Sequence, residues 1–373
     1  MKKVIAFYLP QYHTIPENDE WWGKGFTEWT NTRKSKPLYK GHYQPREPYN
    51  DNYYDLADVT VMEKQAELAK KYGIHGFCYY HYWFKNGKKL LEKPIENMLQ
   101  DKNVDIPFCL CWANENWART WDGGNKEILM RQDYGDVEDW EQHFKYLLQF
   151  FKDDRYIKIN NKPVILMYKP ELMNRAVDMR DYWEKRCISE GFDGIIFIRQ
   201  NPESLYDPNY DDSFIDYSVK FEPFSSRLYD LKKEAKYTAL KRIENNKILM
   251  AFYKIYSYIK PKKMHIMDYD HAWNVILNQE EFNDKSLING AFVDWDNSPR
   301  KKNGMSYKGV SPEKFEQYFS ELLKKPSGLD FIFINAWNEW AEGAYLEPDK
   351  KYEYAYLEAL RNALEMDAKN ENL

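Results

Sequence analysis

Two glutamates lie three residues apart in the run Asn335-Ala336-Trp337-Asn338-Glu339-Trp340-Ala341-Glu342-Gly343. A Glu-x-x-Glu spacing puts both carboxyls on one side of a helical turn. Most such pairs are solvated charges on exposed helices, but a solvated face is not flanked by two tryptophans. Crowding two carboxyl groups in partly apolar surroundings pushes their pKa values apart, so one can donate a proton while the other accepts one. Cleavage of a glycosidic bond needs that combination. A third acid, Glu115, stands in Trp112-Ala113-Asn114-Glu115-Asn116-Trp117 and repeats the Asn-Glu pairing of Asn338-Glu339. The residues therefore leave two candidate pairs, Glu339 with Glu342 and Glu339 with Glu115, unless Glu115 only binds a hydroxyl or pairs with Arg119.

These acids must be positioned by regular elements, and the chain offers a repeat of them. Short runs rich in Val, Ile, Phe, Tyr and Cys recur at Val4 to Tyr8, Gly76 to Tyr82, Pro107 to Trp112, Pro163 to Tyr168, Gly194 to Arg199, Phe214 to Val219, Ala291 to Trp295 and Phe331 to Ala336. Helical spacing fills most intervals: Asp58 to Tyr72, Leu90 to Gln100, Val137 to Phe151, Met173 to Glu190, Tyr269 to Leu277, Pro312 to Lys324 and Lys351 to Asp367. In the first helix Val59, Met62, Ala66 and Ala69 make an apolar stripe, and Gly73 supplies a stop. Eight continuously apolar strands alternating with amphipathic helices imply an α/β fold, a closed (β/α)8 TIM barrel with extended βα loops, over a doubly wound sheet. The whole chain, 1–373, is expected to form one barrel domain. A loop excursion at about 11–52, rich in aromatics, and a lysine-rich insertion at about 220–263 fall outside the repeat.

Barrel enzymes place their chemistry at the C-terminal strand ends. Here those ends carry Gln11, Tyr12 and His13, then Tyr79 to Trp83, Trp112 to Trp117, Asp294 to Asn297 and Asn335 to Gly343. Flat rings stack on sugar faces while amides and acids hold hydroxyls. The expected catalytic residues are Glu339 and Glu342, with sugar contacts from Tyr8, Tyr80, His81, Trp112, Asn114, Glu115, Asp294, Trp295, Trp337 and Asn338.

Composition narrows the partners. A net charge of −5 argues against nucleic acid or an anionic membrane surface, while 31 Tyr and 13 Trp suit an oligosaccharide or polysaccharide substrate. No obligate protein partner is evident. Cys109 and Cys111 alternate along one strand and share a face, as reduced structural thiols. The opening MKKVIAFYLPQYH has too short an apolar run before Pro10 for a signal-peptide core or a membrane span, so a cytoplasmic protein is expected. His13, His75 and His81 lack metal-ligand spacing, His75 being better suited to packing beside Gly76, and no metal or other cofactor is expected.

The segments FYLPQYH, GFTEWTN, GFCYYHYWF, CWANENW and NAWNEWAEG resemble the glycosyltransferase WbsX-like family, whose barrel is similar to glycoside hydrolase family 99, the endo-α-mannosidases. The likeness runs from Val4 to about Pro348. It implies that Glu342 is the general acid/base and that Glu339 deprotonates the sugar's own 2-hydroxyl, giving a retaining route through a 1,2-anhydro sugar. Two other functions stay open. A glycosyltransferase of O-antigen or capsule synthesis would use Asp294-Trp295-Asp296 or Asp268-Tyr269-Asp270 as Asp-x-Asp metal sites, although PQYH stands where a Gly-rich phosphate loop belongs. A non-catalytic carbohydrate-binding protein would keep the aromatic rim without needing two spaced acids.

Overall fold

A computed structural model describes residues 2–119, 127–200, 212–233, 264–279, 286–301 and 303–371. Eight parallel strands follow one another around the sheet in chain order: β1 (Lys3–Tyr8), β2 (Ile74–Phe84), β3 (Phe108–Trp112), β4 (Lys162–Met167), β5 (Ile196–Arg199), β6 (Tyr217–Val219), β7 (Leu287–Phe292) and β8 (Phe331–Asn335). β1 pairs with both β2 and β8, which closes the (β/α)8 barrel. All eight apolar runs contain or overlap these strands. The seventh starts at Leu287 rather than Ala291, because Asp294 and Trp295 belong to the rim beyond the strand.

The helices are α1 (Pro16–Trp22), α2 (Glu28–Lys34), α3 (Val59–Lys71), α4 (Lys93–Gln100), α5 (Val137–Phe151), α6 (Ala176–Ser189), α7 (Phe224–Lys233), α8 (Tyr269–Leu277), α9 (Pro312–Leu323) and α10 (Ala355–Glu371). In α3 the Asp58 carboxylate accepts the Thr60 N–H at 3.0 Å, a cap contributing about 1 kcal/mol. Met62, Ala66 and Ala69 are its buried face, and Gly73 ends it at φ +89°. α4 begins at Lys93 and not Leu90, since Leu90 pairs with Tyr82 in a short antiparallel strand. The first excursion folds into α1 and α2; of the second, α7 is described and 234–263 lies outside the described residues.

Alternation along each strand sorts side chains to the two faces of the barrel wall. Inside, Phe7 packs on Tyr80, Phe221 and Phe333; burying each phenylalanine contributes roughly 1.5–3 kcal/mol. Cys78, Cys109, Cys111 and Cys187 are all free and buried, and the Cys111 thiol meets Gln200 Oε1 at 2.8 Å. Outside, Phe108 packs on Phe150 of α5 and Trp112 on Trp183 of α6. Among the described residues no helix is long and apolar enough to cross a membrane.

Candidate active site

Beyond β8 the chain makes a small hairpin: Asn338–Glu339 pairs antiparallel with Ala344–Tyr345 around a 3-10 turn, Trp340–Glu342. Gly343 closes the turn at φ +65°, and a Cβ there would come within 3.0 Å of the Asp296 backbone, so glycine is required. The Asp296 N–H donates to the Glu342 carbonyl at 2.6 Å. Tyr12 holds the other side, its hydroxyl donating to the Asn338 carbonyl and accepting the Trp340 N–H at 3.2 Å. Trp340 stacks on Tyr345 and packs against Trp29 of α2. Below it the buried Glu347 accepts the Trp340 indole N–H at 2.6 Å and the Tyr54 hydroxyl at 2.8 Å.

The hairpin turns both candidate acids toward one cation, Arg300. Its Nη1 is 2.5 Å from Glu342, and its Nη2 lies 3.2 Å from Glu339 and 3.0 Å from Glu28. Glu28 is fully buried and Glu339 nearly so, while the Glu342 side chain keeps 21% of its surface exposed. Burial, opposed by Arg300 and reinforced by the charges of Glu342 and Glu28, pushes the Glu339 carboxyl up to about 8. Burial also raises Glu28. Burial thus favours the protonated form of Glu339 in the free site.

Among the expected sugar contacts, Tyr80 faces the interior near Glu339 and its hydroxyl accepts from Gln200 Nε2 at 2.7 Å. Trp295 is buried with its indole edge on Phe224, and its Nε1–H has no hydrogen-bond partner among the described residues. Glu115 is half-exposed and pairs with Lys169 at 2.7 Å; Arg119 pairs with Glu127 instead.

The other expected contacts are engaged elsewhere. Tyr8 points outward and donates to Gln65 of α3 at 2.6 Å. His81 sits 2.9 Å from His143 of α5, and burial lowers it to about 3, so it stays neutral. Trp112 donates its indole N–H to the Trp83 carbonyl and lies edge-on to His143. Trp337 packs on Phe77 with no exposure. Position along the strand points these four to the rim, but strand parity sends Tyr8, His81 and Trp112 under the helices, and Trp337, past the end of β8, is buried against Phe77. Asn114 and Asn338 spend both amide ends on backbone, at Lys169 and Leu9 respectively.

Asp294 binds Arg46 at 2.7 Å, and Asp296 accepts from His42 at 2.6 Å and Gln44 at 2.7 Å. Asp268 caps α8 through the His271 N–H, and Asp270 holds Lys314 and Tyr318. All four carboxylates of the two Asp-x-Asp runs are thus committed to protein donors.

Sequence reasoning missed Glu28, Arg300, Tyr82 and Gln200. Tyr82 lies within electrostatic reach of Glu339, Arg300 and Glu28. The signal for Glu28 is a glutamate between aromatics in GFTEWTN; Arg300 stands in SPRKK, which reads as an ordinary basic loop. A groove of about 610 Å³, lined by Trp29, Thr30, Arg33, Tyr53 and Asp55 among others, includes none of the clustered acids.

Residues 4–360 match the glycosyltransferase WbsX family, and the chain belongs to that family. It is 36% identical over 370 residues to WxcX proteins from two strains of Xanthomonas campestris pv. campestris, covering 97% of this chain. The chain spans 49% of the length of those relatives. Its fold is similar to the family 99 endo-α-mannosidase of Bacteroides thetaiotaomicron, with TM-score 0.57, 12% identity and coverage of 99% and 98% of the two chains. A glycoside hydrolase-like protein gives TM-score 0.57 at 14% identity, covering 97% and 93%.

Proposed function

We propose that this chain cleaves a glycosidic bond in a bacterial surface polysaccharide or its oligosaccharide intermediate, with retention, using Glu339 and Glu342. The observation that carries the reading is the meeting of both glutamates on Arg300 at the C-terminal end of the last barrel strand, close enough for the two carboxyl groups to influence each other. In the route implied by the family resemblance, Glu339 takes the proton of the sugar's 2-hydroxyl as that oxygen attacks the anomeric carbon. Glu342 gives its proton to the departing glycosidic oxygen. Glu342 then takes a proton from water, which opens the 1,2-anhydro sugar, and Glu339 returns its proton to the 2-oxygen. Neither carboxylate bonds to carbon, and two inversions leave the configuration retained. Glu339 works here as a base and Glu342 as an acid, so at the first step the pair's single proton sits on Glu342. Tyr80 and Trp295 are the proposed rim contacts for the sugar, with Glu115 at the opposite strand end.

The family's description as glycosyltransferases favours a second reading, transfer from an activated donor at the same rim. One assay separates the two: incubation with a panel of bacterial O-antigen and capsular oligosaccharides, following the anomeric configuration by NMR, beside parallel reactions supplied with nucleotide and lipid-linked sugars. Hydrolysis with retention, reduced at least about 100-fold in Glu342→Gln and Glu339→Gln, is the expected result. Transfer without hydrolysis replaces the first reading with the second. Tight binding without turnover, unchanged by Glu342→Gln, makes the chain a carbohydrate-binding protein.

A further inference from the structure

Arg300 serves a third acid that the reaction above does not use. Glu28 reaches it from α2, with Oε2 at 3.0 Å from Nη2 and 3.2 Å from Nε, while Oε1 has no hydrogen-bond partner among the described residues. Two features hold Glu28 in place. Its backbone N–H donates to the Gln11 carbonyl at 3.1 Å, and the neighbouring Trp29 is clamped between Tyr12 and Trp340 with its indole N–H on the Tyr54 carbonyl at 2.8 Å. A carboxylate placed this firmly, with no exposure, is a costly feature unless its charge has a use.

The charge count is simple. One guanidinium offsets one carboxylate, so three ionised acids around Arg300 leave two uncompensated negative charges in a poorly solvated space, and the cluster relieves this by keeping a proton. The groups facing the cluster are Glu28 and Lys34 from α2, Tyr12 from the first loop, Tyr80 and Tyr82 from β2, Arg300 from the loop after β7, and Glu339 and Glu342 from the hairpin. The tyrosines stay neutral across the working range, because burial raises all three.

We infer that Glu28 is a positioning residue that, through Arg300, sets how much negative charge the Glu339 and Glu342 pair can carry. It rests on the reading of Glu339 and Glu342 as the acid/base pair. Replacing Glu28 by Gln keeps the shape, removes one repelling charge and leaves the guanidinium to the other two acids, so Glu339 ionises more easily. Replacing Arg300 by Gln does the opposite.

Infrared titration of the protonated carboxyl stretch tests this without a substrate. In the unaltered chain a band titrating near about 8 is expected and is missing in Glu339→Gln. In Glu28→Gln the midpoint falls by about one unit or more, and in Arg300→Gln it rises. A folded Glu28→Gln protein whose band titrates unchanged overturns the inference. Should Glu28→Gln fail to fold, an unmoved midpoint in Arg300→Gln overturns it equally. The turnover of Glu339→Gln and Glu342→Gln is scored separately: activity retained there defeats the acid/base reading, whereas activity lost there with an unmoved titration defeats only the role of Glu28.

Discussion

The chain carries the same dipeptide, Asn-Glu, beyond β3 and beyond β8, and the structure uses the two copies alike in one residue and differently in the other. Asn114 accepts the Lys169 N–H at 2.7 Å and donates to the Lys169 carbonyl at 2.8 Å; Asn338 does the same to Leu9 at 2.7 and 3.0 Å. Each amide extends the strand pairing by one side chain and anchors the glutamate next to it. The glutamates then part. Glu115 is half-exposed with a single lysine partner, whereas Glu339 is buried beside two further acids sharing one arginine. Motif identity therefore reports the scaffold, and the surroundings assign the chemistry.

Breaking the shared half of the comparison should have the largest effect on stability. Asn338→Ala strands the N–H and carbonyl of buried Leu9, at about 1–3 kcal/mol for each unsatisfied buried group, so a total loss of about 2–6 kcal/mol is expected. Asn114→Ala should cost about half as much, because Lys169 is only partly buried and water can replace the amide. Urea unfolding of both variants checks the ratio; equal losses would mean that solvent access at Lys169 is irrelevant.

A smaller effect sharpens the half that differs. The Glu339 carboxyl is raised in the folded chain, so the folded state binds its proton more tightly than the unfolded state does. Its stabilising contribution is complete below the ordinary glutamate range near pH 4.5 and is lost as pH rises through about 8. Burial likewise raises Glu222 and Glu347 to about 7, and their slopes run in the same direction. Melting temperature should therefore fall between about pH 5 and 8. The fall is shallower in Glu339→Gln, as differential scanning calorimetry can establish.

Much of this was legible in the sequence, and the failures share a cause. Strand and helix periods located the eight strands and the seven framework helices, and the Glu-x-x-Glu run marked the two glutamates that meet on Arg300, although on a hairpin and not a continuing helix. Tyr8, His81 and Trp112 were misread because barrel strands apolar on both faces hide their parity. The alternation of Cys109 and Cys111 was a usable clue: both point inward, which sends Trp112 outward. Glu28 and Arg300 escaped for another reason. Their meeting with Glu339 depends on two loops packing across the rim, and no local spacing records such a contact.

The most direct measurement is the pH profile of oligosaccharide turnover for the unaltered chain, Glu339→Gln and Glu115→Gln. The expected profile falls above about 8, where the pair loses the proton its acid must donate, keeps that shape and a rate within a few-fold in Glu115→Gln, and collapses by at least about 100-fold in Glu339→Gln. Collapse in Glu115→Gln with activity intact in Glu339→Gln would contradict the account.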